Sequence, residues 1–359
     1  MENLIQFNVL NAFCKDVFKQ MGCSEEHSKT AADVLLAADL SGIDSHGLAR
    51  LSGYYRLFEK NIVNVKPNLH IIYESPGTAT LNADAALGLI AAQEAMRIAI
   101  EKAKVCGTGW VAVQNSNHFG IAAYHAMMAL EHDMIGIAMT NASPLVAAVN
   151  TKERLLGTNP MAYAIPAAKQ KPFVADFATT TAANGKLEIL QRKNQEAPLG
   201  WIIDQDGNPT KDANALKSGG ALLPLGSDAE HGIHKGFCLG AVVDIFSAVL
   251  SGANYGPWVP PFVSFLAPKA NPVGKGIGHF FGAMRVDAFR PADEFKAHMD
   301  NWIETFLNIE PIDGSQKITI PGWPEMETAQ YRREHGIPLN NKVYEDLLSL
   351  SEKLGIALK

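Results

Sequence analysis

Two of the chain's histidines sit in settings suited to proton transfer. The first is His46, in the run Asp44-Ser45-His46-Gly47-Leu48-Ala49-Arg50. An imidazole is the side chain whose ordinary pKa lies nearest neutrality. A guanidinium clamps a carboxylate with two parallel hydrogen bonds. If a helix begins near His46, then Arg50 lies four residues on and shares its face. Such a pair suits a 2-hydroxy or 2-oxo acid: His46 handles the oxygen's proton, Arg50 holds the carboxylate, and Ser45 orients the ring or the substrate. The competing reading, which spacing alone favours, is a helix cap from Asp44 or Ser45 with a surface His and Arg.

The second histidine is His118, in Asn115-Ser116-Asn117-His118-Phe119-Gly120, between the apolar run 109–113 and a helical stretch. Polar loops at strand ends are where α/β proteins place ligands, so His118 is a second acid/base candidate. An Asn-rich turn capping the next helix explains it equally well, and His125 reads as packing. Thr140-Asn141-Ala142-Ser143-Pro144 offers amide and hydroxyl groups, for binding or for a turn. The run Gly157-Thr158-Asn159-Pro160 reads as a tight turn. Asp176-Phe177-Ala178-Thr179-Thr180-Thr181, with Asn184, Gly185 and Lys186 behind it, could meet ribose through Asp176 and phosphate through the loop and Lys186. Its alternative is a capped helix with a solvated lysine. Lys235 and Gly236 open a long apolar helix, an anion site or a solvated first turn.

Several signatures are missing. No G-x-G-x-x-G run opens a helix after a strand, so any dinucleotide is held without a Rossmann fingerprint. H-E-x-x-H, G-x-S-x-G and P-loop runs are absent too. Glu230, His231 and His234 make a weak metal set. The four cysteines form no C-x-x-C pair and suggest neither zinc nor a disulfide framework. With 31 basic against 37 acidic residues, the chain lacks the charge that drives nucleic-acid or anionic-lipid binding. No segment reads as a signal peptide or a bilayer span, which suggests a soluble cytoplasmic protein.

The elements that must position these residues follow from periodicity. The length of 359 residues suggests about two domains. Residues 1–75 are helical in pattern, with Ser24 as an N-cap ahead of Glu25 and Glu26 and a second helix over 48–59. Strands are expected at 78–83, 109–113, 134–140, 161–167, 172–178 and 278–286, and helices at 86–104 and 236–252. The tail returns to helix from Pro291 to Phe306, near 324–335 and over 341–354. Residues 1–75 with 290–359 are therefore expected to form a helical domain, around a sheet domain at 76–289.

Taken together, the motifs resemble those of the malate/L-lactate dehydrogenase family that is unrelated to the Rossmann enzymes of the same names. That family also holds ureidoglycolate and sulfolactate dehydrogenases, diketogulonate reductase and cyclic-imine carboxylate reductases. The resemblance spans nearly the whole length. It is carried by SHGLAR (45–50), NSNHFG (115–120), TNASP (140–144), GTNPMAYAIP (157–166), DFATTTAANGKLE (176–188), KGFCLG (235–240), GHFF (278–281), IPG (320–322) and RREHGIPL (332–339). It implies an α/β (α+β) fold with a largely antiparallel, non-Rossmann sheet holding NAD or NADP. It also implies a homodimer with its active site near the interface. By motif, His46 matches the proton donor/acceptor, with Ser45 and Arg50 beside the substrate, and His118 matches the acid/base of some members. Asn141 is a further binding candidate. Asp176 to Thr179, Lys186, Lys235 with Gly236, and the stretch around Gly322 match cofactor-contacting segments. Trp323, where members often carry Glu or His, departs from the pattern, as do Phe177 and Thr179 to Thr181. The expected reaction is hydride transfer between nicotinamide and C2 of a small acid, malate or lactate first. Rival readings are a metal-dependent lyase or hydrolase using His46, His118 and perhaps His231, and a dimeric binding protein without turnover.

Overall fold

The computed structural model describes residues 3–314 and 317–358, so the first two residues of the opening segment lie outside it. Helix Phe7–Gln20 buries Leu10, Phe13, Cys14, Val17 and Phe18, the spacing of one helical face. Ser24 caps helix Glu25–Leu40 as expected, its Oγ accepting from the His27 N–H at 3.1 Å. Where a uniformly helical start was expected, Asn3–Ile5 is a strand paired antiparallel with Ile337–Leu339. This short ladder ties the two chain ends together. One core accordingly joins Leu35, Leu51 and Tyr54 to Ile337 and Leu347, with Leu89 from the first turn of helix Gly88–Cys106. Helix Ala292–Leu307 packs elsewhere: Trp302 meets Phe173 edge-on at 5.8 Å, and Asp300 accepts from the backbone N–H groups of residues 168–170.

The central sheet has seven strands in the spatial order His70–Glu74, Thr78–Asn82, Thr108–Ser116, Ile277–Arg285, Met134–Thr140, Met161–Ile165, Phe173–Phe177. Only the pair Thr78–Asn82 and Thr108–Ser116 is parallel, and helix Gly88–Cys106 makes the crossover that parallel pairing requires. The other neighbours are antiparallel. Gly109 lets the crossover helix lie flat on the sheet, since a Cβ there would stand 2.0 Å from the Ala99 carbonyl. The expected mixed fold with a largely antiparallel sheet is what forms. A second sheet of five short strands surrounds a smaller core of Leu145, Leu187, Ile202 and Leu222.

Two local expectations are corrected. The long apolar helix starts at Ile233 rather than 236, runs to Asp244, and continues as a π-turn over Ile245–Val249. Strand Thr108–Ser116 runs further than 113 and takes Asn115 and Ser116 into the ladder. Among the described residues no helix is long and apolar enough to cross a membrane.

Candidate active site

His46 does not begin a helix. Residues 44–47 form a turn, and a 3-10 turn starts only at Leu48 before helix Leu51–Glu59. The reason lies beneath the turn. The buried Asp39 carboxylate accepts the Leu48 N–H at 2.7 Å, and a Cβ on Gly47 would stand 2.1 Å from it. Glycine is therefore required there. Burial, with some help from Asp44, pushes the Asp39 carboxyl up to about 8. Arg332 of helix Trp323–His335 donates to the Asp39 carbonyl and to the Asp44 carboxylate, each at 2.5 Å. His46 and Arg50 therefore meet by folding of a turn, not by sharing a helical face. The Arg50 Nε–H donates to the Ser45 carbonyl at 2.5 Å, and the Ser45 Oγ lies 2.9 Å from the His46 Nδ1.

The turn brings His46 to His118, with ring centroids 5.9 Å apart and planes 22° from parallel. The tautomer of neutral His118 follows from its neighbours. The Gly120 N–H, which can only donate, lies 3.4 Å from the His118 Nδ1, and the Tyr54 hydroxyl lies 2.6 Å from the same atom. Nδ1 is therefore the acceptor, and the ring proton sits on Nε2. Phe262 stacks on the His118 ring, with centroids 4.5 Å apart. Burial, then the Arg50 charge, holds the His46 pKa down to about 4. Burial, then His46, Arg50 and His279, holds His118 well below its ordinary value. Both rings are thus neutral at pH 7, and an imidazole close to a cation resists protonation.

A cavity of about 60 Å³ lies against these rings, lined also by Phe119, Thr140, Ser143 and Thr158. Behind it His279 is buried between the Thr140 Oγ1 and the Ser116 Oγ, each 2.7 Å from one of its nitrogens, and it stacks on Phe119. Burial drives its pKa to about 3. His125 is fully buried, as expected of packing, and its Nε2 lies 2.9 Å from the Phe119 carbonyl.

The remaining candidates divide into wall and rim. Asn141 is wall: its amide donates to Asp244 at 3.0 Å and to the Asn254 carbonyl at 2.8 Å, and its oxygen accepts from the Gly278 N–H. Asn159 lies buried behind the wall, its side chain accepting from the Ala142 N–H and donating to the Gly240 carbonyl in the expected tight turn. Thr179 donates to the Thr158 carbonyl. Asp176 accepts the Ala123 N–H at 2.8 Å and so caps helix Ala122–Met127, a cap sequence reading gave to the Asn-rich turn. Phe177 is exposed on the rim. Gly236 lets its helix approach, since a Cβ there would stand 2.3 Å from the Leu225 carbonyl, and Leu225 in turn bonds Thr179. Gly322, at φ +88, packs against Val174 of the strand that carries Asp176. Ala178, just past that strand, is half-buried. Lys186 and Lys235 are exposed and have no carboxylate partner among the described residues, and the Lys186 ammonium lies 5.8 Å from the centre of the Trp201 ring.

Sequence reasoning missed Tyr54, Asp39, Phe262 and Glu188. Tyr54 carried a local signal, four residues after Arg50 within the helix expected at 48–59. Glu188 pairs with Arg50 across 138 positions and carried none. The proposed metal trio is not assembled. His231 is bound to Asp228 on the surface, and among the described residues no three His, Cys, Asp or Glu groups are placed to hold a metal.

Comparison with known proteins gives one answer. The family model for malate/L-lactate dehydrogenase matches residues 5–348. A malate dehydrogenase of Pyrococcus abyssi is 41% identical over 348 residues, covering 97% of this chain and 94% of that protein. An L-sulfolactate dehydrogenase of Methanocaldococcus jannaschii is 38% identical over 346 residues, covering 96% and 95%. The crystal structure of malate dehydrogenase from Entamoeba histolytica superposes with a TM-score of 0.92 at 34% identity over 99% of both chains.

Proposed function

The chain belongs to the malate/L-lactate dehydrogenase family, and from that premise we propose that this oxidoreductase interconverts a small 2-hydroxy acid and its 2-oxo acid, with malate the leading substrate. The observation that supports this best is the pair of neutral imidazoles stacked at 5.9 Å beside an arginine. Arg50 holds the substrate carboxylate, its plane fixed by the Ser45 carbonyl. The His118 Nε2–H donates a hydrogen bond to the C2 oxygen. With Nδ1 already accepting, His118 cannot readily give up that proton, so it polarises rather than titrates. His46 takes the hydroxyl proton in oxidation and returns it in reduction, and Ser45 orients its ring. When bound, a nicotinamide cofactor, NAD or NADP, would supply the hydride chemistry at C2. Asp176 to Thr179, Lys186, Lys235 with Gly236, and Gly322 form the rim that would hold it.

A homodimer fits the exposed apolar stripe Leu239, Val242, Phe246, Val249 and Leu250, which a second copy would cover. The division into a helical body from both ends and a sheet body at 76–289 is part of the same reading, with strand His70–Glu74 and helix Ala292–Leu307 packed on the sheet side of it.

The test is a panel. Purified protein is mixed with NADH or NADPH and with oxaloacetate, pyruvate, glyoxylate-derived acids or cyclic imines, and nicotinamide absorbance is followed. Fastest turnover with oxaloacetate supports the malate reading. Preference for a ureidoglycolate-type acid or a cyclic imine replaces the substrate. No turnover with any compound overturns the reading in favour of a binding protein.

A further inference from the structure

Arg50 is already holding a carboxylate. Its Nη2 lies 3.3 Å from the Glu188 Oε2, and the side chains are only 17% and 29% exposed. Glu188 is itself anchored, since Asn184 donates to its other oxygen at 2.8 Å. Both residues belong to helix Asn184–Arg192, whose first turn presses on the catalytic turn. A Cβ on Gly185 would stand 2.6 Å from the Ser45 Cβ and 3.5 Å from the Arg50 Nη2. With Nε committed to the Ser45 carbonyl, an acid that reaches for Nη2 meets Glu188 already there.

We propose that Glu188 is a resident competitor for Arg50 that weakens the hold of every carboxylate on the site by a common factor, so that only acids with further contacts fill it. This rests on reading Arg50 as the carboxylate clamp. A simple carboxylate such as acetate offers the site one interaction and must win it from an anchored carboxylate that needs no ordering. A 2-oxo acid also accepts from the His118 Nε2–H and engages His46, so it repays the lost ion pair with contacts acetate cannot make. The ratio of the two affinities is set by those contacts, while Glu188 lowers both, so that the weaker acid no longer fills the site.

Steady-state kinetics test this with oxaloacetate as substrate and acetate as competitor, on wild type, Glu188→Gln, Glu188→Asp and Arg50→Ala. The expected result for Glu188→Gln is a KM lowered about three- to tenfold, an effect on KM that exceeds that on kcat, and acetate inhibition tightened by a similar factor. Glu188→Asp keeps the charge but draws it back by one methylene, and gives a smaller fall. If Arg50→Ala raises KM while both Glu188 variants match wild type, the competition is overturned and the clamp stands. If Glu188→Gln raises KM, Glu188 serves to pose Arg50 and the proposal is likewise overturned. If Arg50→Ala leaves KM unchanged, the clamp falls and the competition falls with it.

Discussion

Strands Met134–Thr140 and Ile277–Arg285 run antiparallel side by side, and a hollow lies at each end of the pair. At the Thr140 and Ile277 end is the cavity of about 60 Å³ with His46 and His118. At the Met134 and Arg285 end is a cleft of about 290 Å³ lined by Lys104, His132, Asp133, Arg285 and Asp287. The larger hollow is richer in charge but poorer in chemistry. Its ions are already satisfied: Arg285 pairs with Asp287 at 2.6 Å, Lys104 with Glu101 at 2.7 Å, and Lys296 with Asp133 at 3.0 Å. In the smaller one, burial holds imidazoles neutral at pH 7, and a tyrosine and a backbone N–H fix the proton on one of them. Desolvated, oriented titratable groups mark a site better than volume or charge does.

The sharpest way to break the comparison is to remove one group from each end. His46→Ala lowers turnover by about 10²–10⁴-fold, the usual worth of a positioned acid/base. A loss under tenfold, read by nicotinamide absorbance, would promote His118 in its place. A smaller effect is expected at Tyr54, which acts through His118. Tyr54→Phe leaves the Nδ1 only the long bond from Gly120, so kcat falls about tenfold with KM changed less. An unaltered kcat would show that the hydroxyl does not set the ring. The smallest effect belongs to the far cleft. Arg285→Ala breaks an exposed ion pair, worth roughly 0–1 kcal/mol, and shifts Tm slightly while kcat/KM stays within about twofold of wild type. A larger kinetic loss there would join the two hollows into one functional unit.

Much of this contrast was legible before the structure. The strands carrying both ends were read from the apolar runs 134–140 and 278–286, because buried strands must be apolar on both faces. SHGLAR and NSNHFG each marked a histidine by type and setting. What the sequence could not show is how the histidines are tuned. Tyr54 reaches His118 across 64 positions, and Thr140 reaches His279 across 139. Those contacts depend on the sheet order and on the turn over Asp39, neither of which leaves a local pattern. Helical spacing also misplaced the reason His46 and Arg50 meet. A glycine that must clear a buried carboxylate looks, in sequence, like any other glycine.

The central claim is that His46 carries the substrate's proton from a neutral resting state. Its direct test is the pH dependence of hydride transfer from malate, measured in single turnovers by stopped-flow pH jump on wild type and His46→Ala. A lowered pKa keeps the base form populated, so the wild-type rate should be flat from pH 8 to about 5. It should then fall as pH drops through about 4, and that break should vanish in His46→Ala. A break near the ordinary imidazole value of about 6.5, or one that persists without His46, would contradict the account.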